Sequence, residues 1–317
     1  MDELYYQGTH SGPEIDALLD TVDAGVTPII GKGINLLDNW YFVGGGSQQG
    51  GGQFPINQRG QSSYPSAGYG IDRWESAGQA VLNSGYITIP GAVNFYQKIP
   101  FDSQFIGVPL TASVLTGNNE LITGTTIITD TSTNYYYAGV GNDELIVIGF
   151  FGSTSPMIFY LQGRTSGNHN YVAVKLELGD TQTLARQVNG TWVLNDPAPN
   201  YQQELAKCQR YQLVINTAQY FLPFNALAQQ TDLARVIVPL PVSLRSKPTI
   251  SFIVGSAADF GLYNGLESKA TTGFTVYMYT ASEVTLNASA TGLTVGGAYQ
   301  LIKNTPGDAT ILLDANL

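Results

Sequence analysis

The sequence predicts an all-β protein: a short N-terminal helix, a β-sandwich of jelly-roll type, and a second C-terminal β domain. Three observations carry this. Charged residues are only 12% of the 317 residues, about half the usual share, so the surface is built largely from uncharged polar groups. Glycine is abundant at 36 and tyrosine, at 19, outnumbers phenylalanine at 13, a composition of turns and half-buried strands. Short runs rich in Val, Ile, Thr and Tyr recur between Gly, Asn, Asp and Pro clusters, the pattern of a sandwich or jelly roll. Hydrophobic residues are 43%, enough to form cores and unlike a disordered chain.

Residues 1–33 read as a helix and linker. Ser11 caps, Pro13 sits in the first turn and Glu14 lies three after Ser11. Ile15, Leu18, Leu19 and Val22 then form one apolar stripe. A helix this short needs a packing partner, and sister copies of the chain are the expected one. From residue 34 the predicted strands are Gly85–Pro90, Leu121–Thr129, Glu144–Phe151, Met157–Leu161, Tyr171–Leu178 and Gly190–Leu194. Residues 44–53 are glycine- and glutamine-rich and read as a loop. Pro199-Asn200 opens a short helix through Glu204, Leu205 and Cys208, leading into a strand at Tyr211–Ile215. The domain boundaries follow as 1–33, 34–211 and 212–317. The last unit carries strands at Ala234–Val238, Thr249–Val254, Thr275–Tyr279, Glu283–Ala288, Ala298–Ile302 and Thr310–Leu313.

The net charge of −10 with no basic cluster argues against nucleic acid, whose binding depends on Lys and Arg neutralising phosphates. It also argues against docking on anionic membranes, and no apolar run is long enough to span a bilayer. The single cysteine, Cys208, forbids an intrachain disulfide and reads as a small buried apolar residue. Met1-Asp2-Glu3 opens no apolar signal segment, so the expectation is a protein made in the cytoplasm and released without classical secretion.

Chemistry-bearing patterns are few. Two histidines, His10 and His169, and one cysteine cannot make a zinc site. Asp38, Glu177 and Asp180 would be calcium candidates if the first and last strands pair, but the ion-free reading is favoured, and no cofactor is expected. Gly152-Ser153-Thr154-Ser155-Pro156 is not a nucleophile elbow, and the glycine run at 44–52 lacks the Gly-Lys-Ser/Thr of a phosphate loop. Asp143 with Glu144, or Asp259 with Glu267, are the carboxylate pairs a glycosidase would need; acids in turns are usually solvated. The better candidates are aromatic, because tyrosine covers the flat face of a sugar and keeps a polar edge. Tyr135, Tyr136 and Tyr137 form a loop-like cluster, and strand alternation would send the outer two to one face. His169 and Asn170 lie in a polar turn. Asp259, Tyr263 and Asn264 mark a candidate binding loop in the last unit.

A set of phrases in fixed order sets the expected function. They are Asn35-Leu36-Leu37-Asp38-Asn39-Trp40, Asn57-Gln58-Arg59-Gly60, Tyr69-Gly70-Ile71-Asp72-Arg73-Trp74, Lys175-Leu176-Glu177-Leu178-Gly179-Asp180 and Glu204-Leu205-Ala206-Lys207-Cys208-Gln209-Arg210-Tyr211. Over residues 34–211 the chain resembles the carbohydrate-binding-like jelly-roll module of phage and prophage tail fibres and receptor-binding proteins. The resemblance implies a virion protein that adheres, without catalysis, to a bacterial cell-surface polysaccharide. It also implies a homotrimer docked on other tail or baseplate proteins. A glycan depolymerase and a purely structural baseplate or connector part are the alternatives. Trp40 and Trp74, within the phrases, and Trp192 are assigned to packing. Arg59 and Arg73 are expected to make internal pairs, for instance with Asp38 or Asp72.

Overall fold

A computed structural model describes residues 33–43, 54–64, 68–101, 103–130, 135–141, 143–150, 156–215, 221–304 and 309–316. The expected N-terminal helix and the glycine-rich loop at 44–53 lie outside the described residues. What is described is β-rich, and the all-β class holds.

The first unit contains β1 (Ser63–Tyr64), β2 (Gly68–Tyr69), β3 (Glu75–Ser76), β4 (Ala80–Asn83), β5 (Tyr86–Pro90), β6 (Asn94–Ile99), β7 (Pro109–Thr116), β8 (Leu121–Ile127), β9 (Tyr135–Val140), β10 (Glu144–Phe150), β11 (Met157–Gly163) and β12 (Asn168–Leu178). They form two six-stranded sheets, β1-β4-β5-β12-β7-β8 and β2-β3-β6-β11-β10-β9. Early strands lie beside late ones: β5 against β12 and β6 against β11, both antiparallel. These two pairs are of the kind a jelly roll makes, whereas β7–β8 and β9–β10 pair as local hairpins, so the arrangement is a two-sheet β-sandwich. The stretch before β1 also lies along β12, with Leu36 N donating to Leu176 O and Phe42 N to Val172 O.

The inward faces meet in one core. Trp74 is fully buried at its centre, stacked on Phe95 at 4.7 Å and edge-on to Phe42 and Phe159. Its indole N–H donates to Asn39 O, the polar partner a buried tryptophan needs. β5 and β6 alternate between buried and partly exposed positions, whereas β7 and β10–β12 are buried on nearly every residue. In β10 and β11 the outward residues Val147, Ile158 and Tyr160 also pack on one another, so the period-2 signal is lost there.

A hairpin of β13 (Ala185–Val188) and β14 (Thr191–Leu194) flanks this unit. The expected short helix follows as α1 (Tyr201–Gln209). Asn200 caps it by accepting from Gln203 N at 3.1 Å, which satisfies one of the first-turn N–H groups. Cys208 faces inward against Phe54 and Ile56. Burial, then the surrounding carboxylates, pushes its thiol well above the ordinary value, so it packs as an apolar residue.

The remaining strands are β15 (Gln212–Ile215), β16 (Phe221–Gln230), β17 (Leu233–Pro239), β18 (Thr249–Val254), β19 (Phe260–Tyr263), β20 (Ser268–Tyr279), β21 (Glu283–Ala290), β22 (Ala298–Lys303) and β23 (Thr310–Asp314). Six close into a barrel, β16-β17-β21-β20-β19-β22, and β15-β23-β18 form a small sheet. The barrel has its own apolar core, and closure leaves no open edge. β16 escaped the sequence reading because Pro223 interrupts it; the ladder to β22 slips between Phe221 and Asn225, where a missing N–H is tolerated.

Polar groups of the quoted phrases join the two units. Gln58 donates to Asp72 Oδ1 at 2.9 Å and to Gln212 O at 2.9 Å. Arg59 donates to Gly70 O and to Gln212 Oε1, each at 3.0 Å. Arg73 pairs with Asp38 at 3.0 Å, as expected, and also reaches Asn316 of the last unit at 2.7 Å.

Candidate functional site

The outer face of the β2-β3-β6-β11-β10-β9 sheet carries a groove of about 450 Å³. Three cross-strand rows build it. The first runs Glu75, Tyr96, Tyr160, Val147, Tyr137 across β3, β6, β11, β10 and β9. The second runs Lys98, Ile158, Gly149, Tyr135, and the third Asn94, Gln162, Leu145, Val140. Their neighbours along each strand, such as Phe95, Phe159 and Ile148, point into the core. Gly149 adds no side chain to the second row.

Apolar contact forms the floor. Val147, Ile158 and Tyr160 are buried together, with Tyr96 and Leu145 packed against them. The Tyr96 and Tyr160 rings lie 5.5 Å apart, and Tyr135 and Tyr160 6.5 Å apart. Tyr135 is 50% exposed and Tyr137 66%, so two large amphipathic rings stand open to solvent above that floor. At one end the Tyr96 hydroxyl donates to Glu75 Oε2 at 2.9 Å, while Glu75 Oε1 holds Lys98 at 2.9 Å. At the other, Asn94 and Gln162 present side-chain amides.

Burial raises the Tyr96 phenol, with the Glu75 charge adding to it. Burial, Tyr135 and Glu75 push Tyr160 up to about 12, so both stay hydroxyl donors through neutral pH. Tyr64 and Tyr171 are raised by burial as well. The folded state therefore holds these protons more tightly than the unfolded chain. Stability should be independent of these groups below about pH 10 and fall as pH rises from there toward about 12. Urea midpoints measured across that range check it; a midpoint flat to pH 12 would contradict it.

β9 is held in place by close backbone approach. A Cβ on Gly124 of β8 would lie 2.3 Å from Ala138 O of β9, so glycine lets the two sheets meet at this edge. Gly124→Ala is expected to cost about 1–3 kcal/mol through overpacking and to displace the strand carrying Tyr135 and Tyr137. A thermal melt gives the first effect and the loss of ligand binding the second.

The sequence candidates divide sharply. Alternation does place Tyr135 and Tyr137 together on the open face. Tyr136 leaves the site: it packs edge-on to Phe150, and its hydroxyl accepts from Asp130 N at 3.1 Å and donates to Asp130 O at 2.7 Å. His169 is no turn residue but part of β12, 4% exposed, with Nδ1 3.1 Å from Glu144 Oε1. That pair bridges the two sheets from inside, and Gly163 is glycine because a Cβ there would sit 2.1 Å from the imidazole. Asn170, also on β12, accepts from Thr88 Oγ1 at 2.7 Å, away from the groove. Asp259 immediately precedes β19 of the barrel and Tyr263 ends it. The Asp259 carboxylate caps Ser256, the Tyr263 hydroxyl donates to Gly265 O, and Asn264 Oδ1 accepts from Leu266 N and Glu267 N. These groups shape their own loops.

The calcium candidates are also engaged: Asp38 by Arg73, Glu177 by Thr183 N at 2.7 Å and Thr183 Oγ1 at 2.6 Å, and Asp180 by Thr181. Among the described residues no three metal-ligating side chains cluster. Neither carboxylate pair faces a common groove, since Glu144 turns inward to His169 and Glu267 pairs with Lys269.

Tyr96, Tyr160, Asn94, Gln162, Glu75 and Lys98 were not singled out from sequence. The signal was present in β6, where Asn94, Tyr96 and Lys98 alternate with Phe95, Gln97 and Ile99. In β11 it was masked, because Met157-Ile158-Phe159-Tyr160-Leu161 is apolar on both faces. No protein-family model and no curated protein matches the chain, so the functional reading rests on these residues and their geometry.

Proposed function

We propose that this chain is a non-catalytic receptor-binding protein of the phage tail-fibre kind, which adheres to a glycan on the bacterial surface. The observation that carries the reading is the groove on the outer sheet. Two exposed tyrosines stand over an apolar floor, with amides and a charged pair at its ends. Sugar rings offer apolar faces and a rim of hydroxyls, and this arrangement is complementary to both. In this reading the protein resides in the virion, docks on tail or baseplate proteins and acts as a homotrimer. Three weak sites on one rigid body then gain avidity with no new contact.

Fluorescent labelling of whole bacteria with the purified chain, its mass in solution recorded alongside, tests this. Strain-selective staining that disappears when surface polysaccharide is stripped is the expected result. Release of shortened glycan from purified polysaccharide would indicate a depolymerase instead. Absence of staining across a broad panel, from a correctly assembled oligomer, would indicate a structural part of the tail.

A further inference from the structure

We infer that the groove takes an internal segment of an uncharged polysaccharide, built from neutral hexoses or N-acetylhexosamines, rather than an acidic one; this rests on the glycan-binding reading above. Recognition of a carboxylate, sulfate or phosphate is strongest where a cation is free to pair with it. Lys98 is the one cation among the lining residues, and it is already neutralised by Glu75 at 2.9 Å. The other Glu75 oxygen is taken by the Tyr96 hydroxyl at 2.9 Å, which fixes the carboxylate beside the lysine. An anionic sugar would have to break that pair and then face the released Glu75. The chain's net charge of −10 further opposes the approach of a polyanion.

The rest of the lining suits hydroxyl and acetamido groups. Asn94 and Gln162 lie directly opposite each other, and neither side-chain amide is engaged by another described residue. Each offers a donor and an acceptor to a neutral ring. The row from Tyr96 to Tyr137 crosses four strands, roughly 14 Å at the usual strand spacing. That is the length of a few consecutive rings, so the site reads a stretch of chain and not a single sugar.

The test is binding of the full chain to immobilised oligosaccharides of two kinds, neutral and carrying uronic acid, sialic acid or phosphate, at low and high salt. Retention on neutral members, unchanged by salt and lost in Tyr137→Ala, is the expected result; salt screens only charge-driven contacts. Retention on acidic members that falls with salt, and is lost in Tyr137→Ala, would overturn the inference while leaving glycan binding intact. Retention on no member, by a chain that still unfolds cooperatively, would overturn this inference and the proposed function together.

Discussion

Replacing Arg73 with alanine is expected to destabilise the protein by about 3–5 kcal/mol, the cost of breaking a buried ion pair by removing one partner. Arg73 is 1% exposed. Its Nε donates to Asp38 at 3.0 Å, Nη1 to Asn316 Oδ1 at 2.7 Å and Nη2 to Lys98 O at 2.7 Å, and the guanidinium lies 3.5 Å from the centre of the Tyr211 ring. The planar fork serves three acceptors and one aromatic face at once, which an ammonium cannot do. Arg73→Lys should therefore recover little. Because Asn316 belongs to the last unit and Tyr211 leads directly into it, losing Arg73 also loosens the junction. Guanidinium unfolding should show a lower midpoint and separated transitions for the two units. Adding Asp38→Asn should restore part of the loss by removing the stranded charge. A change of less than about 0.5 kcal/mol, the range of ordinary surface substitutions, would refute this account.

Tyr137→Ala is expected to weaken glycan binding by about 2 kcal/mol per site, roughly thirtyfold, with stability nearly unchanged. The ring is 66% exposed, so folding gains little from it. Its place at the end of the row Tyr96–Tyr160–Val147–Tyr137 makes it the most available face for a sugar. A multivalent assembly multiplies the per-site loss, so staining of whole cells should vanish before soluble binding does. His169→Ala makes the opposite control. It removes a buried partner of Glu144 and should lower the melting temperature, whereas affinity per folded molecule should stay. Equal binding by wild type and Tyr137→Ala would remove the groove as the receptor site.

Local chemistry in the sequence determined much of this protein. Asn200 marked a helix start, and the helix begins at Tyr201. The β-branched run Thr249–Val254 is a strand with those same ends. Low charge, abundant glycine and many tyrosines pointed to an all-β chain, and strand periodicity put Tyr135 and Tyr137 on one side with Tyr136 on the other. Each of these follows from contacts within a few residues, where propensity, capping and the two-residue repeat operate.

Only the tertiary structure decided which side was outside. Period 2 says that Tyr135 and Tyr137 share a face; it does not say whether that face meets solvent or the opposing sheet. The same limit misplaced His169, whose strand position turns it inward to Glu144. It also hid Tyr160, whose neighbours are apolar on both sides. The groove joins β6, β9, β10 and β11 through pairings between residues far apart in sequence, such as Tyr96 with Tyr160. Barrel closure in the last unit is of the same kind. Strand order comes from the burial of whole faces against one another, and no single segment carries that information, because its free energy belongs to the assembled sandwich.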